Sequence, residues 1–531
     1  MKTDKDVETA NSQNITVTGS HVGTHRKLEV RHLQMIAIGA SIGTGLFLAS
    51  GSTIANAGAL GALVAYLIAG ACVFFVVHSL GEMATLIPTS GSFNEYASRF
   101  VDPALGFTSG WIYWFGCTIS IPIELIACAK FLKFWLPDVD QYVIMGIVLV
   151  FLTLVNCLAV KGFGEIEYWL SLIKIYSLCL ANLLVVIICQ RNKGLNAYHE
   201  AGGPFLGKPA STASINTFKA LIAAIFAFSG TELVGVTAGE AKNPRKSVPK
   251  AINGTFWRIM IFYIVSIFLI GLLIPANSPA LVGEDDDLGS SPFVMALNMA
   301  KLAGTDHFMN FVCFIAVFSS ANSTVYASTR SLMALGQIGH APRFLARTAK
   351  NGVPYWATFV SLGIGSVCFV GKFIGDGVVF EWLVNICGLG VIVIWAMICI
   401  VHIRFRKAYV LQGYKIEELP FKAWLYPYGA YFSIIITLLI LIISPILAAL
   451  APPEEDGEGN GFLQFMASFI SIPVYFLIYL AYKLYHKTAF VPLKQVDIRS
   501  GNINVYPELE GDCDEGKENA SMWSKLLALL A

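Results

Sequence analysis

The chain has 531 residues, of which 56% are hydrophobic and 13% charged, and its formal net charge is +1. A soluble enzyme of this length would carry more charged residues on its surface, and a nucleic-acid-binding protein would carry a basic excess. The composition excludes both classes and predicts an all-α integral membrane protein.

The N-terminal segment, residues 1–32, is polar and lacks the apolar core of a cleavable signal peptide. We therefore expect it to remain as a cytosolic tail. The eleven cysteines lie mostly inside apolar stretches and show no metal-ligand spacing. We interpret them as small core residues and expect neither a disulfide nor a metal site.

Twelve apolar stretches are long enough to cross the ~30 Å hydrocarbon core of a bilayer. They are Leu33 to Asn56, Ala62 to Leu86, Gly106 to Trp135, Tyr142 to Val160, Tyr168 to Gln190, Thr217 to Glu240, Thr255 to Ile274, Phe308 to Leu335, Trp356 to Ile374, Phe380 to Phe405, Tyr428 to Leu450 and Phe462 to Tyr485. An even number of spans places both termini on one side. The predicted organisation is an N-terminal tail (1–32), a twelve-helix membrane core (33–485) and a C-terminal tail (486–531).

The orientation follows from the basic residues, because lysine and arginine accumulate in the short cytoplasmic loops of membrane proteins. The loops that this topology places inside contain roughly three times as many of these residues as the loops that it places outside. The segment from Lys242 to Lys250 is typical of the inside loops, whereas outside loops carry acidic runs at 284–287 and 454–456. We therefore expect both termini in the cytosol.

The first span contains three glycines within seven residues, Gly39, Gly43 and Gly45. Glycine weakens a helix, and a broken helix in lipid leaves costly unpaired amides. The amides that begin the second half-helix lie at its positive dipole end, which suits a carboxylate. We interpret the gap as the binding site for the carboxylate of an amino acid. Close packing between helices is the alternative explanation for these glycines.

Span six repeats this pattern in Phe226-Ala227-Phe228-Ser229-Gly230-Thr231-Glu232. It opens a second block of five spans, so spans one and six run in opposite directions. This arrangement is typical of an inverted repeat, in which two broken helices face each other and form a substrate site. The pattern predicts a first repeat over 33–190, an inverted repeat over 217–405 and two additional helices over 428–485. It favours a binding site over packing alone.

Further motifs accompany the two breaks. They are Leu80-Gly81-Glu82-Met83-Ala84, Phe100-Val101-Asp102-Pro103-Ala104-Leu105-Gly106, Asn243-Pro244-Arg245-Lys246-Ser247, Ser320-Ala321-Asn322-Ser323 and Val379-Phe380-Glu381-Trp382-Leu383. With these motifs the chain resembles, over most of its length, the fungal amino acid permeases of the amino acid, polyamine and organocation (APC) superfamily, yeast amino acid transporter type. The resemblance implies a LeuT-like fold of five plus five spans with two extra helices, and secondary active uptake of amino acids, usually coupled to protons.

The resemblance also implies how the two breaks divide the substrate between them. The substrate carboxylate is expected to meet Thr44 and the amides of Gly43 and Gly45. Its ammonium is expected to meet carbonyls at Ser41 and at the end of the first half of span six, around Phe226 and Ser229. The helix dipoles favour the same division, because a helix that stops short presents carbonyls to a cation.

Lys174 lies about one turn into span five. An ammonium inside the bilayer is costly, so it requires a partner, a lowered affinity for its proton or a route to the interface. One interpretation is that Lys174 extends to the nearby cytosolic interface. The other is that its ammonium occupies the place where sodium-driven relatives bind a cation, near Ser319 and Ser320. On that basis Lys174 is the candidate for proton coupling.

Two carboxylates lie deep inside spans, Glu124 in span three and Glu232 directly after the break in span six. A carboxylate at this depth suggests function, with pairing to a buried lysine or hydroxyl as the structural alternative. We interpret Glu232 as a gate or proton-linked residue. Glu124 is expected to line the pocket for the substrate side chain and, if ionised, to favour lysine or arginine.

Two aromatic residues flank the break in span six. Phe226 and Phe228 are candidates for a gate that closes over bound substrate, and Phe226 is the preferred one; simple packing is the alternative. Cys387, in the middle of span ten, is a further candidate for contact with the substrate side chain. The alternative interpretation is that it only packs in the core.

The predicted function is proton-coupled symport of L-amino acids across the plasma membrane, with a possible preference for basic ones. An amino acid sensor that binds without net transport and an amino acid exchanger are the alternatives. The sequence contains no phosphate-binding loop, zinc-ligand spacing or nucleophile–base arrangement, so we expect neither an enzyme nor a cofactor. An ion gradient rather than ATP is expected to drive transport. The resemblance further implies that cytosolic lysines receive ubiquitin from ubiquitin-ligase machinery. Candidates are Lys2, Lys5, Lys494 and Lys517.

Overall fold

A computed structural model describes residues 30–89, 91–157, 160–191, 210–241, 243–274, 276, 278, 281, 291–298, 304–349, 352–374, 376–449 and 469–505. Over these residues the secondary-structure elements are helices. This agrees with the all-α prediction. Most of the N-terminal tail and the last part of the C-terminal tail, with Lys2, Lys5 and Lys517, lie outside the described residues.

The first predicted span is interrupted where its glycines lie. Helix α1 covers Val30–Ser41, the short helix α2 covers Thr44–Phe47, and α3 covers Ala49–Leu86. Gly43, between α1 and α2, has φ −149° and ψ −144°, which is not helical. Gly58 bends α3 with φ 74°, a left-handed conformation that glycine adopts without steric cost. The predicted break in span one is therefore present.

Four helices complete the first half. They are α4 (Ser92–Phe100), α5 (Pro103–Lys133), α6 (Gln141–Asn156) and α7 (Val160–Arg191). Asp102 caps α5 by accepting a hydrogen bond from Ala104 N at 2.9 Å, and Pro103 follows at the first helical position. Asp140 caps α6 through Tyr142 N at 2.8 Å. Both caps satisfy amides that a helix leaves unpaired at its start.

The sixth predicted span is interrupted in the same way as the first. Helix α8 covers Ala210–Phe228, α9 covers Leu233–Thr237, and a 3₁₀ turn continues over Ala238–Glu240. Between α8 and α9 the chain turns through Gly230, which has φ 91°. A residue with a Cβ rarely adopts this conformation, so the glycine permits the turn.

The remaining helices belong to the second half of the chain. They are α10 (Pro244–Leu273), α11 (Pro292–Asn298), α12 (Thr305–Ile338), α13 (Tyr355–Gly365), α14 (Gly371–Ile374), α15 (Asp376–Leu411), α16 (Tyr428–Ala449) and α17 (Ser471–His486). Among the described residues, eight helices have the length and apolar composition to cross a membrane. The chain is thus a multi-pass membrane protein, while the count of twelve spans and the inverted repeat stay predictions.

The two interrupted regions lie together in the core of the bundle. Helix α1 packs against α7, α10 and α12, and α2 packs against α8. Helix α5 packs against α12 and α15. Helices α6 and α16 expose large apolar side chains such as Ile147, Leu154 and Ile442, which suits a surface that faces lipid. The polar breaks are therefore enclosed by helices rather than exposed to lipid.

The segment after α17 packs on the helix bundle. We refer to residues 488–505 as the C-terminal strap. Val491 N donates to Val101 O at 2.9 Å, and Ile503 N donates to Leu86 O at 3.0 Å. Ile498 is buried, whereas Lys494 is exposed. The polar composition of 486–531 predicts a largely disordered tail. That prediction is wrong for the strap, because its backbone groups pair with helix ends that lack intrahelical partners.

Asp102 connects the strap to the bundle. Its carboxylate accepts hydrogen bonds from Ala104 N, from Thr488 Oγ1 at 2.8 Å, from Tyr479 Oη at 3.2 Å and from Lys483 Nζ. Burial on its own would raise the pKa of the Asp102 carboxyl, but hydrogen bonds from Lys483, Ala104 and Thr488 outweigh it and hold that pKa below its ordinary value. The stabilisation is present at neutral pH and is lost as the pH falls below about 4.

We expect Asp102→Asn to loosen the C-terminal strap. Asparagine still caps α5, but it removes the charge that Lys483 and Thr488 bind. A charge-assisted hydrogen bond contributes roughly 1.5–3 kcal/mol, so amide exchange in the strap should rise about tenfold or more. Hydrogen–deuterium exchange of peptides from 488–505 measures this. Asp140→Asn is the matched control at another helix cap, and equal exchange in all three proteins would contradict the assignment.

Candidate functional site

A cavity opens between the two interrupted regions. Its lining comprises Ala40, Ser41, Gly43, Gly45, Ile112, Tyr113, Gly116, Cys117, Ser120, Glu124, Phe226, Ser229, Gly230, Glu232, Leu233, Ser320, Ser323, Thr324, Ala327, Cys387, Gly390, Val391 and Ile394. Nine of the thirteen predicted site residues are in this set. Thr44, Lys174, Phe228 and Ser319 are not.

The cavity is elongated along the bundle. On α5 its wall runs from Glu124 to Ile112, which are twelve residues apart and so ~18 Å apart along a helix. On α12 and α15 the wall continues to Ala327 and Ile394. The cavity therefore extends from the breaks toward the end of the bundle at which α5 begins and α12 and α15 end. A long substrate side chain can lie in this direction.

Two buried side chains form hydrogen bonds with backbone carbonyls at the end of α1. Lys174 Nζ donates to Gly39 O at 2.7 Å and to Ile42 O at 2.9 Å. Tyr263 Oη is 2.6 Å from Ser41 O and 2.8 Å from Ala227 O, so it joins the ends of α1 and α8. A cation at a helix C-terminus is favourable because the exposed carbonyls carry partial negative charge. Lys174 thus lies inside the bundle, and the interpretation that it extends to the interface is wrong.

Glu124 lies directly beside the first break. Thr44 Oγ1 donates to Glu124 Oε2 at 2.6 Å, and Ser320 Oγ donates to Glu124 Oε1 at 2.8 Å. The hydroxyl of Thr44 therefore already has Glu124 as its hydrogen-bond partner. Glu124 lines the cavity at the level of the break, where the substrate α-groups are expected, rather than far along it.

The second break is held by short-range hydrogen bonds. Ser229 donates to Phe226 O through both its amide, at 3.0 Å, and its hydroxyl, at 2.6 Å. Glu232 accepts from Gly230 N at 3.2 Å and from Trp395 Nε1 at 3.5 Å. Glu232 is therefore a cavity carboxylate whose partners among these contacts are neutral.

The glycines allow the two breaks to approach each other. A Cβ on Gly45 would overlap the backbone of Ala227, and one on Gly230 would lie 3.0 Å from backbone atoms of Ala40. A Cβ on Gly43 would instead overlap the side chain of Ser320 on α12. The two explanations for these glycines are therefore compatible, since they interrupt the helices and also permit close packing.

The aromatic candidates occupy different positions. Phe226 lines the cavity, whereas Phe228 is fully buried and stacks on Tyr263 with ring centroids 4.6 Å apart. Phe228 is therefore in the core and not beside the cavity. Cys387 lines the cavity, where its sulfur is 2.9 Å from Ser120 Oγ.

Ser319 and Ser320 bind carboxylates and not Lys174. Ser320 donates to Glu124, as described above, and Ser319 donates to Glu167. Glu167 was not among the predicted residues, because the apolar stretch for span five begins one residue later, at Tyr168. Tyr263 was also missed, since nothing in an apolar helix marks one tyrosine as a link between two breaks. For Glu167 one signal was available: Gly39, whose missing side chain leaves space for the Glu167 carboxylate.

A second polar cluster lies between the cavity and the end of α12. Tyr326 Oη donates to Glu240 Oε2 at 2.5 Å, and Arg330 forms an ion pair with Glu240 at 3.2 Å. Arg330 also donates to Gly352 O at 3.1 Å. These buried side chains connect the 3₁₀ turn after α9 with α12.

Comparison with known proteins assigns the chain to a family. The amino acid permease family model matches residues 32–495. The lysine-specific permease LysP of Lactococcus lactis is 41% identical over 499 residues, covering 92% of this chain and 95% of LysP. The lysine-specific permease of Saccharomyces cerevisiae is 36% identical over 518 residues, covering 95% and 82%. The general amino-acid permease GAP2 of Candida albicans is 34% identical over 500 residues, covering 93% and 84%.

A solved structure shares the fold at low sequence identity. A mutant manganese transporter of Eremococcus coleocola superposes with a TM-score of 0.55 at 15% identity, covering 89% of this chain and 95% of that protein. At this identity the similarity concerns the fold and not the substrate.

We expect Gly230→Ala to destabilise the protein. The new methyl group would meet the Ala40 backbone, and alanine would have to adopt φ 91°. Such a conformation costs about 1–3 kcal/mol. The measurement is the midpoint of thermal unfolding in detergent. Gly390→Ala is the matched control, because its methyl group would enter open cavity space. Equal midpoints for the two variants would contradict the close approach of the breaks.

Proposed function

The chain belongs to the amino acid permease family and is an amino acid transporter rather than an enzyme, and from this premise we propose that it couples the uptake of basic L-amino acids to protons. The observation that carries the proposal is the charge of the cavity. Glu124 and Glu232 line it, and none of its lining residues is lysine, arginine or histidine. Inside a low-dielectric site such carboxylates attract a cationic side chain more strongly than they would in water.

The proposed binding mode uses both breaks. The substrate carboxylate binds the amides of Gly43, Thr44 and Gly45 at the start of α2, because a helix leaves its first amides without intrahelical partners. It shares the Thr44 amide with Glu124. The substrate ammonium lies near the carbonyl ends of α1 and α8, beside Ser41 and Ser229. Two of those carbonyls already accept hydrogen bonds from Tyr263 and from Ser229 itself. The ammonium therefore shares them, with Glu124 close by.

The side chain of the substrate then extends along the cavity. Glu232 lies beyond the breaks in that direction and is the proposed partner for a terminal ammonium or guanidinium. Phe226 covers the substrate from the side of α8. The names of relatives support a basic substrate, since the permeases from L. lactis and S. cerevisiae described above are both named lysine-specific. The relative named as a general amino-acid permease favours a broader range.

The proposed driving force is the proton gradient, with Lys174 as the coupling residue. While protonated, Lys174 binds Gly39 O and Ile42 O and fixes the end of α1. Loss of the proton weakens both bonds and releases α1, which favours the alternative arrangement of the transporter. One charge that crosses 100 mV contributes about 2.3 kcal/mol, enough for roughly fifty-fold accumulation.

The proposed architecture has twelve spans, five in each inverted repeat and two after them, in the plasma membrane with both termini in the cytosol. The matching interruptions in spans one and six and the basic inside loops support it. The cavity then extends toward the cytosol, and the cluster of Glu240, Tyr326 and Arg330 is the proposed inner gate. Exposed Lys494 is a proposed acceptor for ubiquitin.

Uptake of radiolabelled lysine tests this function in cells that lack their own lysine permeases. We expect accumulation above the external concentration and its loss when a protonophore is added. Binding without accumulation would contradict transport and indicate a sensor. Accumulation that ignores the protonophore but requires preloaded amino acid would contradict proton coupling and indicate an exchanger.

The same assay tests the acidic cavity through Glu232→Gln. In the unmodified protein, lysine and arginine should compete with labelled lysine at least about tenfold better than leucine, and the variant should lose most of that difference. The exposed Glu417→Gln is the control. A Glu232→Gln variant that keeps the full preference would place the side-chain site elsewhere.

A further inference from the structure

Glu167 is a buried carboxylate that the proposed transport cycle leaves unused. It lies on α7, seven residues before Lys174, and both side chains are fully buried. Its oxygens accept hydrogen bonds from Ser319 Oγ and from Asn322 Nδ2, the latter at 2.9 Å. Asn322 is held in turn by Asn156 Nδ2 at 2.9 Å. All of these donors are neutral, so hydrogen bonds position the carboxylate without neutralising its charge.

Glu167 and Lys174 flank the same turn of α1. Lys174 Nζ binds the carbonyl of Gly39, while the carboxylate of Glu167 lies against the Cα of that glycine. A larger residue at position 39 would displace the carboxylate. The end of α1 therefore separates a buried cation from a buried anion, and a movement of α1 changes the path between them.

Lys174 is the electrostatic partner of Glu167, because the other groups near Glu167 are neutral or bind elsewhere. From α12 the facing residues are Ser319, Asn322 and Ser323, and Asn156 of α6 bonds Asn322 behind them; none of these residues ionises. On the opposite side of Lys174, Glu124 is bound to Thr44 and Ser320. Nearer the start of α7, His32 and Arg31 from α1 bind a different carboxylate, Glu165.

Glu167 lies on the cytosolic side of Lys174 in the proposed orientation. It lies ~10 Å closer than Lys174 to the start of α7, which is the cytosolic end in the proposed orientation. A proton that leaves Lys174 for the cytosol along α7 therefore meets Glu167 first. A buried carboxylate without a cation in contact is costly while charged, so it accepts a proton readily.

We propose that Glu167 accepts the coupling proton from Lys174 and passes it to the cytosol. An N–H bond of the ammonium breaks and an O–H bond forms on the carboxylate, which leaves a neutral amine and a neutral acid. The acid then releases the proton to cytosolic water and regains its negative charge. This step rests on the proposed proton coupling, and it adds the group that receives the proton.

Glu167→Gln in proteoliposomes tests the step, because glutamine keeps the shape and the acceptor for Ser319 but takes up no proton. Two assays are compared: exchange of labelled lysine at equal pH, and accumulation driven by an imposed gradient of one pH unit. We expect exchange within about twofold of the unmodified protein. A one-proton symporter can accumulate lysine up to about tenfold under this gradient. In the variant, the internal lysine concentration should only reach the external one. Accumulation equal to that of the unmodified protein would overturn the proposal.

Two further variants and the unmodified protein serve as controls, and they distinguish loss of the proton acceptor from loss of structure or of proton coupling. Glu165→Gln makes the same chemical change two residues earlier on α7 and should accumulate lysine normally. If Glu167→Gln loses exchange as well, Glu167→Asp decides: restored accumulation supports a proton acceptor, and its absence would show a structural role and overturn the proposal. Exchange without accumulation in the unmodified protein would instead refute the proposed proton coupling, and with it this step.

Discussion

Unpaired backbone groups inside a membrane must find partners, and this requirement shapes the centre of the molecule. The breaks at Gly43 and Gly230 end two helices inside the bundle. The freed carbonyls are satisfied from within the protein, by Lys174 at the end of α1 and by Tyr263 between α1 and α8. The amides that begin α2 have no partner within that helix, and the Thr44 amide bonds the carboxylate of Glu124. The gap is therefore prepared for an anionic group, while its carbonyl side is already largely occupied.

The ionisable groups around this gap form a sequence of alternating charge. Glu124 lies on the cavity side, Lys174 lies behind the end of α1, and Glu167 lies beyond it toward the start of α7. Both carboxylates are held by residues of α12, and Lys174 is held by the backbone of α1. In the proposed cycle, substrate binding at the break and protonation of Lys174 both act on the same few residues of α1. This shared helix end is the physical basis of the proposed coupling between the two events.

The breaks could be predicted because they depend on local chemistry: glycines weaken a helix wherever they occur. The cavity carboxylates Glu124 and Glu232 could be found because charged groups are rare in apolar spans. Partners on other helices could not be predicted. Tyr263 lies in an ordinary apolar span, and its role depends on two carbonyls that are distant in sequence. The strap was missed for a related reason: its polar composition resembles disorder, and its order comes from pairing with helix ends.

The most direct test asks whether the gap binds the substrate through its carboxylate. Binding of lysine to the purified protein by calorimetry can be compared with binding of cadaverine, which keeps the side-chain ammonium and lacks the carboxylate. Two charge-assisted hydrogen bonds contribute roughly 3 kcal/mol or more, so cadaverine should bind at least about a hundredfold more weakly. Equal affinity for the two compounds would contradict a carboxylate site at the interrupted helices.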